Sequence, residues 1–201
     1  MHKKTLFVIT ATFLFLSFQS RLALAQSDAP KLELGGQFVM MRFGVFNETD
    51  PGVGGRITYY VHPHIALESE VNFFHGDFEG GLARVSSWRT QWLSGVKAGV
   101  RSERVGMFGK FQAGLIHFGR ASSPIICLAV FPVPLGCQVA AGKTDPAFDL
   151  GGVFEVYPSR RSLIRFDLSD NIIRYRGSFF KNPKGATHHN LKFNLGVGFR
   201  F

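Results

Sequence analysis

The strict alternation of apolar and polar residues at the end of the chain constrains its fold more than any other feature. Within 187–201, every second position from 191 onward is apolar: Leu191, Phe193, Leu195, Val197, Phe199 and Phe201. The positions between them are polar or glycine: Asn190, Lys192, Asn194, Gly196, Gly198 and Arg200. Successive side chains of a strand point to opposite faces of a sheet, whereas a helix would scatter these apolar residues around its surface. This period of two therefore predicts a β-strand.

The same pattern recurs through most of the chain, which is rich in Phe and Gly (22 and 23 residues), as sheet proteins often are. It predicts strands at 56–61, 66–73, 89–100, 107–118, 148–156, 163–169 and 187–201. A first strand at 31–46 is less regular, because Val39, Met40 and Met41 interrupt the alternation and suggest a bulge. Four apolar residues also fall on the polar face: Leu93, Phe108, Ile116 and Val153.

The connections between these eight strands alternate between short and long. The short ones are 62–64, 102–104 and 158–161, and the long ones are 47–55, 75–87, 119–146 and 170–186. In an up-and-down antiparallel arrangement, all short turns then lie at the end that holds both termini. Short turns at one end and long loops at the other are typical of bacterial outer-membrane barrels. The predicted fold class is all-β, an eight-stranded antiparallel up-and-down transmembrane barrel.

The distribution of charge decides which face meets lipid. Across the last seven strands, the apolar face carries no Asp, Glu, Lys or Arg, as expected where a charge costs about 2–4 kcal/mol. The polar face carries eleven charged residues: Arg56, Glu68, Glu70, Arg89, Lys97, Lys110, Asp149, Glu155, Arg165, Asp167 and Lys192. An eight-stranded barrel is just wide enough for side chains to fill, so these charges must pair in a closed lumen. A soluble, lipocalin-like periplasmic barrel remains an alternative, because periodicity does not distinguish inside from outside.

The N-terminal segment has the layout of a secretory signal peptide. A basic start at 2–4 precedes the uncharged, mostly apolar 5–18 and the small residues Ala23-Leu24-Ala25. The apolar stretch is shorter than the roughly 20 residues of a transmembrane helix. We therefore predict a signal peptide at 1–25 and a barrel domain at 26–201.

Export also bears on the partners of this basic chain. Its 23 Lys and Arg outnumber 14 Asp and Glu, and removal of Lys3, Lys4 and Arg21 leaves a formal charge of +6. Nucleic acid is not an expected partner of an exported protein. The expected partner for this basic charge is an anionic lipid surface.

These features resemble the small outer-membrane β-barrel family of the OmpA transmembrane domain and OmpX. The resemblance rests on the signal peptide, the eight strands and the terminal Gly-Val-Gly-Phe-Arg-Phe. It implies a location in the outer membrane and a terminal strand, with Phe199 and Phe201, that the barrel-assembly machinery reads. Unlike full-length OmpA, the chain is expected to lack a peptidoglycan-binding domain. Its third loop is also unusually long.

That third loop holds the two cysteines, Cys127 and Cys137. In an exported protein such a pair predicts a disulfide. The surrounding residues 124–135 are strongly apolar, which indicates either a contact surface or a lid over the barrel mouth. We expect no metal site there because the loop contains no His.

Other polar residues give little indication of chemistry. His62 and His64 flank a proline in a short turn, and His188 and His189 should point to opposite faces of a strand. Ser94 and His117 share the apolar face, but the predicted register places Ser94 opposite Phe111, about 20 Å from His117. No acid is predicted on that face to complete a Ser-His-acid site. The prediction is a non-enzymatic protein without cofactors, and a lipid A-modifying barrel enzyme is the alternative.

The expected function is structural or surface recognition. The expected partners are outer-membrane lipid, the assembly machinery and an extracellular ligand bound through the loops.

Overall fold

A computed structural model describes residues 30–44, 48–80, 83–119, 142–176 and 186–201, without the side chains of 77–80 and 83–87. Eight strands make up this part of the chain: β1 (Leu32–Phe43), β2 (Glu48–His62), β3 (Ile65–Gly80), β4 (Ala83–Arg101), β5 (Val105–Phe118), β6 (Lys143–Val156), β7 (Ser162–Tyr175) and β8 (Ala186–Arg200). None of the described residues forms a helix suited to cross a membrane. The predicted signal peptide, Cys127, Cys137 and the apolar stretch 124–135 lie outside the described residues.

The strands form one closed antiparallel barrel in which each strand pairs with its neighbours in sequence and β8 pairs with β1. Both ends of the described chain meet at this seam, where the amide of Lys31 donates to the carbonyl of Phe201 at 2.8 Å. The predicted eight-stranded up-and-down barrel is confirmed.

The pairing register determines how far the strands tilt. Directly paired residues can be followed once around the barrel, starting from β1: Leu32, Tyr59, Leu67, Val96, Phe111, Leu150, Asp170, Leu191 and Arg42. The path returns to β1 ten residues above its start. With about 3.3 Å per residue and about 4.8 Å between strands, this stagger corresponds to a tilt of about 41°. That value lies within the range for membrane barrels of this size.

Two of the four predicted long loops are strand instead. β2 begins at Glu48, so only 44–47 separate it from β1, and only 81–82 separate β3 from β4. Pro51 lies inside the predicted loop 47–55, and in the structure it is a strand residue that pairs only with Met40 of β1. A proline has no backbone N–H to donate to a neighbouring strand. It therefore fits a strand position that has a pairing partner on one side only.

The strand extension leaves the β3–β4 hairpin longer than the barrel wall. Pairing between β3 and β4 continues to Gly80 and Ala83, whereas β2 leaves β3 at Phe74 and β5 leaves β4 at Arg89. A two-stranded ribbon therefore projects from the end of the barrel opposite the termini. The remaining long connections on that end are 119–142 and 176–185.

The predicted bulge at Val39, Met40 and Met41 is wrong. Pairing of β1 is continuous with both neighbours, with Val39 and Met41 pointing inward and Met40 outward. The alternation of inward and outward side chains is unbroken. Only the type of inward residue changes, because the inward side chains become apolar toward the end of the barrel opposite the termini. The one register shift in the described ladders lies between Tyr60 and His62, in β2.

Candidate functional site: the filled lumen and the outer rim

The outer surface of the barrel is an apolar belt. Along β8 and at the residue that follows it, the side chains of Leu191, Phe193, Leu195, Val197, Phe199 and Phe201 are all exposed. Ten residue steps at about 3.4 Å, tilted by about 41°, give a belt about 25 Å tall, the height of the apolar band of membrane barrels. This arrangement rules out the lipocalin-like alternative, which would place the apolar face inside.

All eleven charged residues predicted for the lumen are buried inside the barrel, each at most 5% exposed: Arg56, Glu68, Glu70, Arg89, Lys97, Lys110, Asp149, Glu155, Arg165, Asp167 and Lys192. Ten of them form a middle tier with five basic and five acidic groups. The eleventh, Arg89, lies nearer the external end, where it contacts the carboxylate of Asp50. Burying an unpaired ion inside a protein costs several kcal/mol of free energy. The near-equal numbers of basic and acidic groups allow the buried charges to pair and so offset this cost.

Arg165 is the centre of the middle tier. Its Nη2 donates to Glu68 Oε1 at 2.7 Å, and its Nε donates to Asp167 Oδ1 at 2.6 Å. The Nη1 group also contacts the second oxygen of Glu68. Because Glu68 lies on β3 and Arg165 on β7, four strands away, this fork spans the lumen from wall to wall.

Three lysines extend the network around Arg165. Lys110 Nζ lies 3.1 Å from Asp167 and 3.0 Å from Asp149. Lys192 bridges Asp149 at 3.1 Å and Glu70 at 2.6 Å. Each of these two ammonium groups therefore contacts at least two carboxylates on different strands, which ties the walls together.

The third lysine, Lys97, lies nearer the end of the barrel that holds the termini, and it contacts both a carboxylate and an aromatic ring. Its Nζ donates to Glu155 Oε1 at 2.6 Å and lies 4.5 Å from the centre of the Phe108 ring. A guanidinium on β2, Arg56, occupies the space left by glycines, since a Cβ at Gly196 would come within 2.6 Å of its Nη1. The same Cβ would lie 2.9 Å from the carbonyl oxygen of Gly36, so the close approach of these strands favours glycine at that position.

Apolar side chains close the lumen above the charges, at the end opposite the termini. Ten buried residues form this upper tier: Val39, Met41, Phe43, Phe74, Leu93, Ile116, Phe118, Ala147, Ile173 and Tyr175. The Phe43 ring contacts those of Phe74 and Phe118 edge-on, at centroid distances of 6.2 and 6.5 Å. The guanidinium of Arg89 stacks over Phe43 at 4.5 Å, joining the apolar and charged layers.

A smaller apolar cluster closes the other end: Tyr60, Ala66, Phe108 and Val153. Arg101 stacks over Tyr60 at 4.7 Å, and Arg200 stacks over Tyr157 at 4.0 Å. Tyr157, in the turn after β6, donates to Glu155 at 2.7 Å. Burial and the neighbouring Glu155 carboxylate raise the pKa of this phenol above its usual range. The lumen is thus layered, where the sequence predicted charge throughout.

Several buried polar residues were missed by the sequence reasoning. Asp50 and Asp145 lie in stretches predicted as loops, and Glu33 lies in the irregular first strand. Each is in phase with inward residues of its own strand, so a longer strand assignment would have found them. Polar amides complete the set, as where Gln37 donates to Asn72 at 2.8 Å.

The outward rim contains an acidic residue that was also missed. Asp170 lies one position beyond the predicted strand 163–169 and points outward, where its Oδ2 lies 2.5 Å from His189 Nδ1. The prediction that no acid shares the outer face is therefore wrong. No described Ser or Thr hydroxyl has a hydrogen bond to His189, so a nucleophile for this pair is not evident in the described chain.

The structure keeps Ser94 and His117 apart, although by less than predicted. Ser94 pairs with Ala113 instead of Phe111, which leaves about 13 Å along the strand to His117. Each has its own partner: Ser94 Oγ lies 2.8 Å from Ser69 Oγ, and His117 Nδ1 lies 2.8 Å from Thr144 Oγ1. These two residues do not form a site.

Three further histidines also have ordinary surroundings. His64 Nδ1 lies 3.0 Å from the carbonyl oxygen of Gly99, and the His62 ring packs beside it. His188 contacts the Tyr175 ring, on the face opposite His189. Within the described residues, no three His, Cys, Asp or Glu side chains are grouped to hold a metal ion.

No protein-family model and no curated protein matches the chain. Solved structures do match. Ail, the attachment invasion locus protein of Yersinia pestis, in complex with the heparin analogue sucrose octasulfate, is 14% identical with a TM-score of 0.51, covering 85% of this chain and 97% of Ail.

Two further solved structures have the same TM-score of 0.51. Neisserial surface protein A is 9% identical and covers 85% of this chain and 96% of its own. A major outer membrane protein of Thermus thermophilus is 12% identical and covers 87% of this chain and 100% of its own. At such identities the likeness shows the fold, which is that of the small bacterial outer-membrane barrels. The resemblance predicted from the sequence is confirmed at this level, and it supports the predicted location in the outer membrane.

Proposed function

We propose that this protein is a closed outer-membrane barrel that acts at the cell surface through its external ribbon and loops, and not as a pore. The observation that carries the proposal is the layered lumen. A charged middle tier, bridged by Arg165 and closed above and below by apolar clusters, fills the described barrel from wall to wall. Ions would have to break several buried ion pairs to pass.

Conductance tests this part of the proposal. A heat-dependent gel shift first verifies that the protein is folded. In a planar lipid bilayer, the folded protein should then give no open channel. A variant that opens the middle tier, with Lys110→Ala and Lys192→Ala combined, is the positive control for residual leakage. Stable unit conductance from the unmodified protein would contradict the closed lumen.

The external end carries the elements available for recognition. The β3–β4 ribbon projects from the wall, and the connections 119–142 and 176–185 belong to the same end. The last external connection, 176–185, and the strands beside it are strongly basic: residues 171–201 contain no Asp or Glu, and Arg174, Arg176, Lys181 and Lys184 lie within eleven residues. A positive end favours an anionic surface ligand.

We therefore propose that the extracellular ligand is polyanionic, such as a sulfated glycan. Ail, which shares the fold, has been crystallised with a heparin analogue. The basic residues of the last external connection of this chain would attract a ligand of the same anionic kind. Binding of sucrose octasulfate to the detergent-solubilised protein should weaken with added salt. It should also weaken in the double variant Lys181→Gln/Lys184→Gln.

A matched control removes the same charge at the opposite end of the barrel. Arg104 and Arg160 are exposed in the short turns near the termini, so the variant Arg104→Gln/Arg160→Gln should bind the probe normally. Equal weakening in both double variants would indicate a net-charge effect and contradict recognition by the loop.

We also propose membrane lipid and the barrel-assembly machinery as partners. The apolar belt meets membrane lipid, and the barrel-assembly machinery reads the terminal strand with Phe199 and Phe201. We also propose that the protein is not an enzyme, which an acyl-transfer or hydrolysis assay on lipid A would test, with turnover by the unmodified chain as the contradicting result.

A further inference from the structure

The end of the barrel that holds the termini is basic. Its exposed turns and chain start carry the cations Lys31, Arg104, Arg160 and Arg161. Among the described residues of these turns, the one exposed side-chain carboxylate is that of Glu103. Such an excess of positive charge attracts anions from the aqueous compartment on that side of the membrane.

Arg101, the last residue of β4, places a further positive group inside the mouth at this end. It is in phase with the inward Lys97 and is half-buried. Its guanidinium lies 4.7 Å from the centre of the Tyr60 ring and 5.5 Å from that of Tyr157. The rings hold the guanidinium without neutralising it, and no described carboxylate forms an ion pair with it. Arg101 is therefore an ordered cation that can accept an anionic partner.

Two buried donors beside Arg101 have no hydrogen-bond acceptor among the described residues. One is the hydroxyl of Tyr60, a residue that is 5% exposed. The other is Nε of Arg200, whose one ion pair in the described chain is a 3.5 Å contact with Glu33. Glu33 also lies 3.6 Å from Lys97 Nζ, so a single carboxylate faces two cations. Buried polar groups normally have partners, so these donors point to a ligand rich in acceptors.

Tyr157 fixes the spacing of the two arginines. Its hydroxyl lies against Gly106, where a Cβ would come within 2.5 Å, and its amide donates to the carbonyl of Arg104 at 2.8 Å. Arg200 lies 4.0 Å from the ring centre and Arg101 lies 5.5 Å from it, so the two guanidinium carbons are at most about 9.5 Å apart, the sum of these distances. Alternate side chains of an extended peptide point the same way and lie about 7 Å apart. Two carboxylates in such a peptide match this spacing.

We propose that this mouth binds an extended acidic peptide, with one carboxylate at Arg101 and the Tyr60 hydroxyl and a second, two residues along the peptide, at Arg200. Guanidinium groups pair with carboxylates through parallel hydrogen bonds, which suits both arginines to this role. The barrel wall separates the mouth from lipid, since its apolar side chains point outward. The ligand therefore enters from the aqueous side, which is the periplasm at the short-turn end of an outer-membrane barrel. The partner class is a periplasmic peptide or an acidic segment of a periplasmic protein.

Calorimetric titration tests the site with the acetylated peptide Ala-Glu-Ala-Glu-Ala as the probe. The protein is held in phosphatidylcholine nanodiscs and carries Lys181→Gln/Lys184→Gln, which keeps the basic external connection out of the measurement. The peptide should bind, and Ala-Gln-Ala-Gln-Ala should not. Arg101→Gln should weaken binding at least about tenfold, because it removes charge-assisted hydrogen bonds. Unchanged binding by Arg101→Gln would overturn the proposal.

Two further variants separate recognition from a general effect of charge. Tyr60→Phe keeps the ring beneath Arg101 and removes only the hydroxyl, so binding should weaken about fivefold. Arg160→Gln is the matched control, because it removes one positive charge from an exposed turn at the same end. It should change affinity by no more than about twofold. Equal weakening by Arg160→Gln and Arg101→Gln would indicate net charge alone and overturn the site. A heat-dependent gel shift verifies folding in every case.

Two competitors test the nature of the occupant. Nanodiscs that contain phosphatidylglycerol should still permit peptide binding, and complete loss there would assign the mouth to lipid headgroups. Inorganic phosphate at the concentration of the peptide should not displace it, and displacement would show that a single oxyanion suffices. Either contrary result overturns the assignment to an acidic peptide. Binding of sucrose octasulfate is measured at the opposite end of the barrel, so its failure would refute the proposed surface function and leave this site standing.

Discussion

Removal of Arg165 is the perturbation for which the structure gives the clearest expectation. Arg165→Met takes away a buried guanidinium with hydrogen bonds to Glu68 at 2.7 Å and to Asp167 at 2.6 and 2.9 Å. Two buried carboxylates then lose their main partner. Breaking a buried ion pair in this way costs about 3–5 kcal/mol.

The remaining contacts place the expected loss near the lower end of that range. Glu68 keeps hydrogen bonds from Thr58 at 2.9 Å and Gln112 at 3.1 Å, and Asp167 keeps Lys110 at 3.1 Å. We expect Arg165→Met to lower the free energy of unfolding by about 3 kcal/mol. Arg165→Lys keeps the charge but not the fork, and should cost about 1.5 kcal/mol.

Urea unfolding in lipid vesicles, followed by tryptophan fluorescence and gel mobility, measures these losses. The control is Arg161→Met, which removes an exposed arginine in the turn before β7 and should stay within about 0.5 kcal/mol of the unmodified protein. If Arg165→Met costs no more than Arg165→Lys, the middle tier does not depend on pairing across the lumen and the reasoning fails.

Three further predictions concern the ends of the barrel. Because the pKa of Tyr157 is raised from 10.0, its stabilising contribution is complete below that pH and falls as the pH rises above it; Tyr157→Phe should therefore reduce the loss of unfolding free energy between about pH 9 and 11, and an unchanged loss would contradict this. Phe201→Asp places a charge on the lipid-facing end of the terminal strand and should lower the fraction of heat-modifiable barrel in membranes, whereas Phe201→Leu should not; normal assembly of Phe201→Asp would refute the terminal-strand argument. Cys127 and Cys137 should resist thiol reagents until a reductant is added, and labelling of the unreduced exported protein would exclude the predicted disulfide.

The barrel and its inside were predictable because strand phase is a local property. Glu68 and Arg165 are separated by 97 residues, yet each could be assigned to the inward face from its immediate neighbours. Their contact could not be predicted, because it depends on a register that stacks β3 opposite β7 across the lumen.

Strand ends were predicted less well because they are not marked by apolar residues. Pro51 and Pro146 fall within the predicted loops 47–55 and 119–146, but each is a strand residue at a position where its strand has a partner on one side only. The shortened strands hid Asp50, Asp145 and Asp170, and with them both the Arg89 partner and the outer-rim pair. The upper apolar tier was not predicted as a unit, because Leu93 and Ile116 stood out only as exceptions on the polar face and Val39 and Met41 were assigned to a bulge.

The central claim is that the apolar face of the barrel meets lipid, and the two tryptophans of the chain test it most directly. Trp88 and Trp92 both point outward from β4, 62% and 57% exposed, and their separation along the tilted strand corresponds to about 10 Å of depth. Each is measured alone, in Trp92→Phe or Trp88→Phe protein, in vesicles of lipids brominated at known depths. Trp92 should be quenched most by bromines deep in the acyl chains, and Trp88 by bromines near the headgroups. Absence of quenching in a folded, vesicle-associated protein, or the same depth for both residues, would contradict the account.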